Sequence, residues 1–410
     1  MICDSAKILS VLPSSSKSHF IYPNALLLEL AANGHSVTVM SPFPMENPPE
    51  NYKAIDISQT KTELDALLST KENMQMNLIS KLKFLYKNTL HMTNQTLQHP
   101  EMKELLKSEE KFDLIILDLF LTDALLGLAT VFDCQVVAVS ANGPHSWVNE
   151  VLGTPRPVSL VPHVHTDLAE KINLGRRLEN EVFYFIEKLL MTIYHLPLQE
   201  QLFNEVFINS SKTFDEIRTT TVAVALINSY FSISFPKPFL PNTIEIAGMQ
   251  INEDELNPLA DDLREFIENS KHGVLFFSLG GNAKASMKDP DKKKDLVKAL
   301  SQLKQNTIWQ YDDESLEVDT RKIMVRKWLP QYEILGHSNT KLFITNAELL
   351  SCTEAIHFAK NMIAVPIFGD QPRNARKIAN LKLGIHLDFY LNFTGTSLTW
   401  AVNEILSNPV

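Results

Sequence analysis

Cysteine is scarce in this chain, and the basic residues never form a block. Cys3, Cys134 and Cys352 are too far apart to indicate a disulfide framework or a metal-binding cluster. We expect them to be small buried apolar side chains. Acidic residues outnumber basic ones by 48 to 38, which gives a net charge of -10. This balance, without a basic patch, argues against nucleic acid as a partner.

Long apolar runs are also missing. No stretch reaches the ~18 residues that a membrane span needs. The first strand follows Met1–Cys3 so closely that no complete signal peptide is visible. Glycosylation sequons at Asn94, Asn209 and Asn392 are a weak indication of a secretory compartment, because such triplets also arise by chance. On these data alone the location stays open.

The N-terminal residues have the pattern of a β-α-β unit. Ile8–Leu12 is a short apolar run, Pro13–Ser18 is a polar loop, and a helix with an apolar stripe starts near His19. Asn33-Gly34 is typical of a helix end, and His35–Met40 is the next strand. The unit predicts a parallel sheet, but its first loop lacks the GxGxxG sequence of dinucleotide-binding folds.

Further apolar runs predict that the α/β pattern continues and then repeats. The predicted strands are Leu114–Leu117, Gln135–Val139, Val274–Ser278, Thr307–Tyr311, Lys322–Val325, Leu342–Thr345 and Ile363–Pro366. We expect amphipathic helices in residues 166–220 and a connection in the Pro-rich stretch 232–241. The chain is therefore predicted to form two Rossmann-like domains, residues 1–240 and 241–410. A cleft between them would face the carboxyl ends of both sheets.

Polar residues follow several predicted strands of the second domain. Ser278-Leu279-Gly280-Gly281-Asn282 is a turn able to bring backbone N–H groups close to a phosphate, although any tight turn uses glycine. Trp328 with Gln331 would suit the face and edge of a pyrimidine, although a tryptophan after a strand is more often core. A surface position is the default interpretation of Glu354. Asp370 and Gln371, an acid beside an amide, could bind several sugar hydroxyls, although helix capping explains Asp370 equally well.

The joint spacing of these residues is more informative than any one of them. In one window Trp328 is position 1, and positions 4, 24, 27, 43 and 44 are Gln331, Ser351, Glu354, Asp370 and Gln371. This window resembles the donor-binding signature of the UDP-glycosyltransferases, without insertion or deletion. The resemblance extends over essentially the whole chain, including WLPQYEILGHSNTKLFIT and EAIHFAKNMIAVPIFGDQP, and looks closest to the insect membrane-bound enzymes.

The resemblance implies an α/β fold of the GT-B type and a UDP-glycosyltransferase activity. A hexose, with glucose the expected sugar, would pass from a UDP-sugar to a hydroxyl of a small lipophilic acceptor, with inversion. The UDP-sugar is a co-substrate, and neither a cofactor nor a metal is expected. By resemblance Trp328 would stack on uracil, Gln331 would touch the base or the ribose, and Glu354 would bind the ribose. The residues expected to approach phosphate are Ser278, Gly280 and Ser351. The residues expected to hold the donor sugar are Asp370 and Gln371.

Two residues of the first domain match the family's catalytic pair. His19 matches the general base, which is needed because a hydroxyl is a poor nucleophile near neutral pH. Asp118, at the end of a predicted strand, matches the carboxylate that orients the histidine and stabilises the imidazolium. Asp123 is the alternative carboxylate.

One turn departs from the family's pattern. Where the family usually has Thr-His-Gly-Gly, this chain has Thr345-Asn346-Ala347-Glu348. Loss of the histidine's hydrogen bond to diphosphate would cost roughly 1.5–3 kcal/mol, and the Glu348 carboxylate would repel the same group. Thr345 and Glu348 also fit a capping box, which would compete for the helix N–H groups. Alternatively Glu348 faces solvent and Asn346 donates to phosphate. The competing hypothesis is a catalytically impaired relative that binds lipophilic ligands or a partner enzyme.

The ends of the chain are the other departure. The family continues with a helix, a membrane span and a basic tail, whereas this sequence stops at Val410 and shows no signal peptide. A truncated record and a genuinely soluble form both remain open. The resemblance implies the endoplasmic reticulum lumen and membrane as the location, and homo-oligomerisation stays open.

Overall fold

The computed structural model describes residues 5–61, 76–164, 166, 173–234, 237–252, 256–280, 287, 289–312 and 316–407. Within these residues the chain forms two compact units. The first ends at Gln250, and most of the second runs from Ile251 onwards. Gly281 and Asn282, the last two residues of the predicted phosphate turn, lie outside the described residues, as does part of the Pro-rich connection.

The first unit contains a seven-stranded parallel sheet. Its strands are β1 (Lys7–Val11), β2 (Ser36–Ser41), β3 (Tyr52–Asp56), β4 (Leu114–Asp118), β5 (Gln135–Ser140), β6 (Val222–Ile227) and β7 (Thr243–Glu245). Their order is β3-β2-β1-β4-β5-β6-β7. The four strands predicted in this half are present with small shifts. Because β7 pairs with β6, the first sheet extends past residue 240, where the sequence analysis placed the domain boundary.

Helices cover this sheet. They are α1 (Lys17–Ala32), α2 (Leu78–Gln98), α3 (Pro100–Lys107), α4 (Leu128–Phe132), α5 (Ser146–Leu152), α6 (Leu174–Leu190), α7 (Leu196–Val206) and α8 (Phe214–Thr220). A π-helical turn, Met191–His195, joins α6 to α7, and a 3₁₀ helix covers Asp123–Gly127. The predicted first helix is confirmed, with Asn33 as its C-cap.

The second unit repeats the plan with six parallel strands. They are β8 (Val274–Ser278), β9 (Asn306–Gln310), β10 (Ile323–Arg326), β11 (Thr340–Thr345), β12 (Met362–Ala364) and β13 (Gly384–His386), in the order β10-β9-β8-β11-β12-β13. Its helices are α9 (Asp261–Glu268), α10 (Pro290–Gln302), α11 (Gln331–Gly336), α12 (Leu349–His357), α13 (Gln371–Asn380) and α14 (Gly395–Ser407). Across the described ranges, we find no helix with both the length and the apolar character to cross a membrane.

Alternate residues of the central strand β8 enter two separate cores. Leu275 and Phe277 pack on one face of the sheet with Leu296 of α10, whereas Val274 and Phe276 pack on the other face. Helices therefore cover both faces, as expected for a parallel sheet whose strands are continuously apolar.

Each sheet has one position where the strand order reverses. In the first sheet it lies between β1 and β4, and in the second between β8 and β11. At such a switch point the loops after the two strands diverge, which leaves a crevice at their carboxyl ends where ligands bind in open α/β sheets. His19 and Asp118 lie at the first of these positions, and Ser278, Gly280 and Asn346 lie at the second.

Candidate active site

The first candidate site is a histidine–carboxylate pair at the switch point of the first sheet. His19 lies in the first turn of α1, which follows β1, and Asp118 ends the neighbouring strand β4. The two side chains meet, with His19 Nδ1 2.7 Å from Asp118 Oδ2, and both are buried. When Nδ1–H donates to Asp118, the basic lone pair of the imidazole is on Nε2.

An aromatic contact also holds the imidazole ring. Phe120 meets His19 at an edge, with ring centroids 4.7 Å apart. Trp147 packs against Phe120 at 6.0 Å, and its Nε1 donates to the Leu119 carbonyl at 3.2 Å. The histidine is therefore fixed by a hydrogen bond at one atom and by packing along one ring edge.

Asp123, the alternative carboxylate, has different partners. Its Oδ1 accepts a hydrogen bond from Arg218 Nε at 2.7 Å, and its Oδ2 is 3.6 Å from His195 Nε2, longer than an ordinary hydrogen bond. Burial by itself would raise the pKa of Asp123. His195 and the positive Arg218 outweigh burial and hold that pKa well below its ordinary value. The carboxylate that contacts His19 is thus Asp118.

The second candidate site lies where the turns after β8 and β11 meet. Ser278 and Thr345 are register partners at the ends of these strands. Gly280 follows with a φ of 77°, a left-handed conformation that favours glycine. A Cβ on Gly280 would lie 2.9 Å from Asn346 Nδ2 and 4.0 Å from Glu348 Oε2. The amide and the carboxylate both lie over the backbone expected to approach phosphate.

Ala347, where the family usually has glycine, has a left-handed backbone conformation. Its φ is 63°, which costs an L-residue roughly 1–2 kcal/mol. Its N–H donates to Thr345 Oγ1 at 3.1 Å, and that of Glu348 to Asn346 Oδ1 at 3.2 Å. The predicted capping box is wrong, because α12 begins only at Leu349. Glu348 is itself the N-cap residue, and its side chain makes no capping hydrogen bond.

Three predicted donor residues form one hydrogen-bonded group. Gln331 Nε2 donates to Glu354 Oε2 at 2.8 Å and to Ser351 Oγ at 3.1 Å. Ser351 and Glu354 share a face of α12, and Glu354 is buried instead of lying at the surface. Trp328, just before α11, is 57% exposed. Its ring is therefore outside the core and accessible for stacking.

The remaining predicted donor residues lie at the start of α13. Asp370 Oδ2 accepts a hydrogen bond from Asn374 Nδ2 at 2.7 Å, and the same amide donates to the Ala347 carbonyl at 3.0 Å. Asn374 thus links Asp370 to the turn before α12. Sequence analysis missed Asn374 because an asparagine inside a helix has no distinctive pattern. Gln371 is buried, and its Oε1 accepts from two preceding backbone N–H groups, a bracing contact that was not predicted.

The start of α12 is rich in negative charge. Burial raises the pKa of the Cys352 thiol, and the neighbouring carboxylates of Asp370, Glu348 and Glu354 raise it further. Cys352 is therefore a neutral buried side chain, as predicted. Glu354 and Asp370 belong to the family signature, so Glu348 is the carboxylate of this group that departs from it.

Known proteins similar to this chain are glycosyltransferases. The family model of UDP-glucoronosyl and UDP-glucosyl transferase matches residues 6–410. UDP-glycosyltransferase UGT5 of Dactylopius coccus is 29% identical over 99% of this chain and 77% of its own length. UDP-glucuronosyltransferase 2A2 of Homo sapiens is 27% identical over 96% and 75%.

Solved structures show the same fold at lower identity. The glycotransferase of kitacinnamycin has a TM-score of 0.63 and 16% identity, covering 99% of this chain and 92% of its own. Phytolacca americana UGT2, solved with UDP-2fluoro-glucose and pterostilbene, has a TM-score of 0.59 and 14% identity, covering 99% and 91%. The two parallel sheets and these matches define an α/β glycosyltransferase of the GT-B fold class, as predicted.

The family match extends over nearly the whole chain. The chain belongs to the UDP-glucuronosyl and UDP-glucosyl transferase family and is a UDP-glycosyltransferase.

Proposed function

We propose that the protein moves a hexose, most simply glucose, from a UDP-sugar to a hydroxyl of a small lipophilic acceptor, with inversion. The observation that carries this proposal is the 2.7 Å contact between His19 Nδ1 and Asp118 Oδ2 at a sheet switch point. The name of one relative, UDP-glucosyltransferase 2 of Dactylopius coccus, supports glucose. The pterostilbene bound to Phytolacca americana UGT2 supports a phenolic acceptor.

His19 is the general base of the proposed reaction. Its Nε2 takes the proton of the acceptor hydroxyl while the oxygen attacks the anomeric carbon of the donor. The bond from that carbon to UDP breaks, and its electron pair leaves with the diphosphate. Asp118 stabilises the imidazolium that forms and keeps the ring in the productive tautomer. Attack opposite the leaving group inverts the configuration.

The second unit supplies the donor site in this proposal. The exposed ring of Trp328 and the hydrogen-bonded pair Gln331–Glu354 support its assignment to uracil and ribose. The turns of Gly280 and Asn346 are the proposed phosphate contacts. The other proposed donor contacts are Ser278 and Ser351 for phosphate, and Asp370 and Gln371 for the sugar.

The assay is UDP release from UDP-glucose with a phenolic acceptor. His19→Ala should lower turnover by roughly 10²- to 10⁴-fold, the usual contribution of general base catalysis. His91→Ala, which changes an exposed histidine of α2, is the matched control and should keep native turnover. No release of UDP by the folded native protein, or native rates from His19→Ala, would contradict the proposal.

A second candidate function is supported by the position of Glu348. Its carboxylate oxygen lies 4.0 Å from the Cβ position of Gly280, in the proposed phosphate turn. The protein would then be an impaired relative that binds lipophilic ligands or a partner enzyme. Calorimetric titration would show no heat with UDP-glucose for the native chain, and binding by a variant with Asn346→His, Ala347→Gly and Glu348→Gly. Equal affinities for the two proteins would exclude this reading.

We also propose that the protein associates with the membrane of the endoplasmic reticulum, as the family resemblance implies. The helix α6 supports this because its exposed face is apolar while its buried face holds Asn180 and Glu187. Side chains at helical spacing form the exposed stripe: Leu174, Leu178, Val182, Phe185 and Leu189.

Arg177, Glu181 and Lys188 are exposed on α6, and helical geometry puts all three beside this stripe, so its border is mixed with one more basic than acidic residue. In flotation with vesicles that contain an anionic lipid, the native protein should rise with the vesicles. A variant with Leu178→Ser and Phe185→Ser should stay at the bottom. Equal flotation of both proteins would exclude α6 as the contact.

A further inference from the structure

The segment that follows Asp118 is strained. It runs from the end of β4 to the 3₁₀ helix that begins at Asp123. Leu121, in its middle, has a φ of 58° and a buried side chain. Leucine rarely adopts a left-handed conformation, so surrounding contacts must hold this residue in place.

A single side chain from another element clamps the strained residue. Gln199 of α7 is 0% exposed. Its Nε2 donates to the Leu121 carbonyl, and its Oε1 accepts from the Ala124 N–H, both at 3.1 Å. Both ends of the amide are therefore bonded to the backbone of the same short segment. A buried bidentate amide is a strong positional constraint, because losing it leaves two backbone groups unpaired.

The clamped segment carries two groups that touch His19. Asp118 bonds His19 Nδ1, and Phe120 packs on the edge of the same ring at 4.7 Å. The Thr122 hydroxyl donates to the Asp118 carbonyl at 3.0 Å, which ties the far side of the turn back to the end of β4. A displacement of Leu121 would therefore move both groups that orient the imidazole.

We propose that Gln199 is a positioning residue for the proposed general base. By holding Leu121 in its left-handed conformation, the buried amide fixes Phe120 and the Asp118 carboxylate against His19. The kinetic consequence rests on the proposed function, whereas the structural consequence for His19 does not.

The kinetic test uses acceptors of different acidity. Gln199→Leu should lower kcat with unsubstituted phenol by roughly 10- to 100-fold, because a displaced base removes the acceptor proton less well. The loss of kcat should be several-fold smaller with 4-nitrophenol, because its more acidic hydroxyl depends less on a general base. KM for UDP-glucose should not change. The matched control is Gln201→Leu on the same helix, where an exposed amide donates to Glu205. Equal losses with both phenols would overturn the positioning role.

A second measurement is independent of turnover. The proton between His19 Nδ1 and Asp118 should give a downfield ¹H resonance, which His19→Gln assigns by removing it. Gln199→Met keeps a side chain of similar length and loses both hydrogen bonds, so it serves if Gln199→Leu does not fold. The resonance should shift or vanish in the Gln199 variant and persist in Gln201→Leu. An unchanged resonance in the Gln199 variant overturns the inference. If the resonance responds to the substitution but the native protein shows no turnover, the inference is supported and only the proposed function is contradicted.

Discussion

Replacing Glu348 with glutamine should strengthen the binding of UDP-sugars. A Cβ on Gly280, in the turn proposed to contact diphosphate, would lie 4.0 Å from a Glu348 carboxylate oxygen. Two negative charges ~4 Å apart repel by about 1 kcal/mol in water and by about 4 kcal/mol at the effective dielectric of a protein surface. Since about 1.4 kcal/mol corresponds to a tenfold change, Kd for UDP-glucose should fall by about five- to a thousandfold.

Isothermal titration calorimetry at two salt concentrations tests this electrostatic argument. The gain of Glu348→Gln over the native protein should shrink with added salt, because the screening length falls from about 10 Å at 0.1 M to about 3 Å at 1 M. Glu265→Gln, at an exposed site on α9, removes the same charge and should bind like the native protein. An unchanged Kd for Glu348→Gln at low salt, or an equal gain for Glu265→Gln, would refute the reasoning.

The other predictions concern donor stacking, metal removal and acid stability. Trp328→Ala should raise KM for UDP-glucose about 5- to 150-fold, because stacking on a base is worth about 1–3 kcal/mol, and native KM would argue against the uracil contact. Dialysis against EDTA should leave UDP release unchanged, and a loss restored by a divalent cation would contradict the metal-free reaction. His195 and Arg218 outweigh burial and hold the pKa of Asp123 below 3.8. A carboxyl group whose pKa is lower in the folded than in the unfolded protein stabilises the fold at pH values above its unfolded pKa. This stabilisation is lost as the pH falls towards the folded pKa. Calorimetric Tm should therefore drop more steeply below about pH 4 for the native protein than for Asp123→Asn, and parallel curves would count against this pair.

Most inner strands could be predicted from sequence, with β6 missed, whereas of the edge strands β3, β7, β10 and β13 only β10 was predicted. β8 is apolar at nearly every position because both faces of its sheet are covered, so its pattern is unmistakable. β7 and β13 lie at sheet edges, have three residues each, and contain no fully buried position. An edge strand without a buried face has no apolar periodicity to detect.

The residues of the candidate site could be predicted where they match the family signature. Contacts between residues that are distant in sequence could not be predicted. His19 and Asp118 are 99 residues apart, and only the parallel pairing of β1 with β4 brings them together. Gln199 and Asn374 act through hydrogen bonds to distant backbone groups, which no local pattern indicates. The capping box was mispredicted because the left-handed Ala347 delays the start of α12.

The central claim is single displacement of UDP by an acceptor hydroxyl that His19 deprotonates. The most direct test is the NMR spectrum of the product formed from UDP-glucose, whose sugar has the α configuration, and 4-nitrophenol. The predicted result is a β-glucoside from the native protein and roughly 10²- to 10⁴-fold less of it from His19→Ala in the same time. An α-glucoside, or the same β-glucoside yield from His19→Ala, would contradict it.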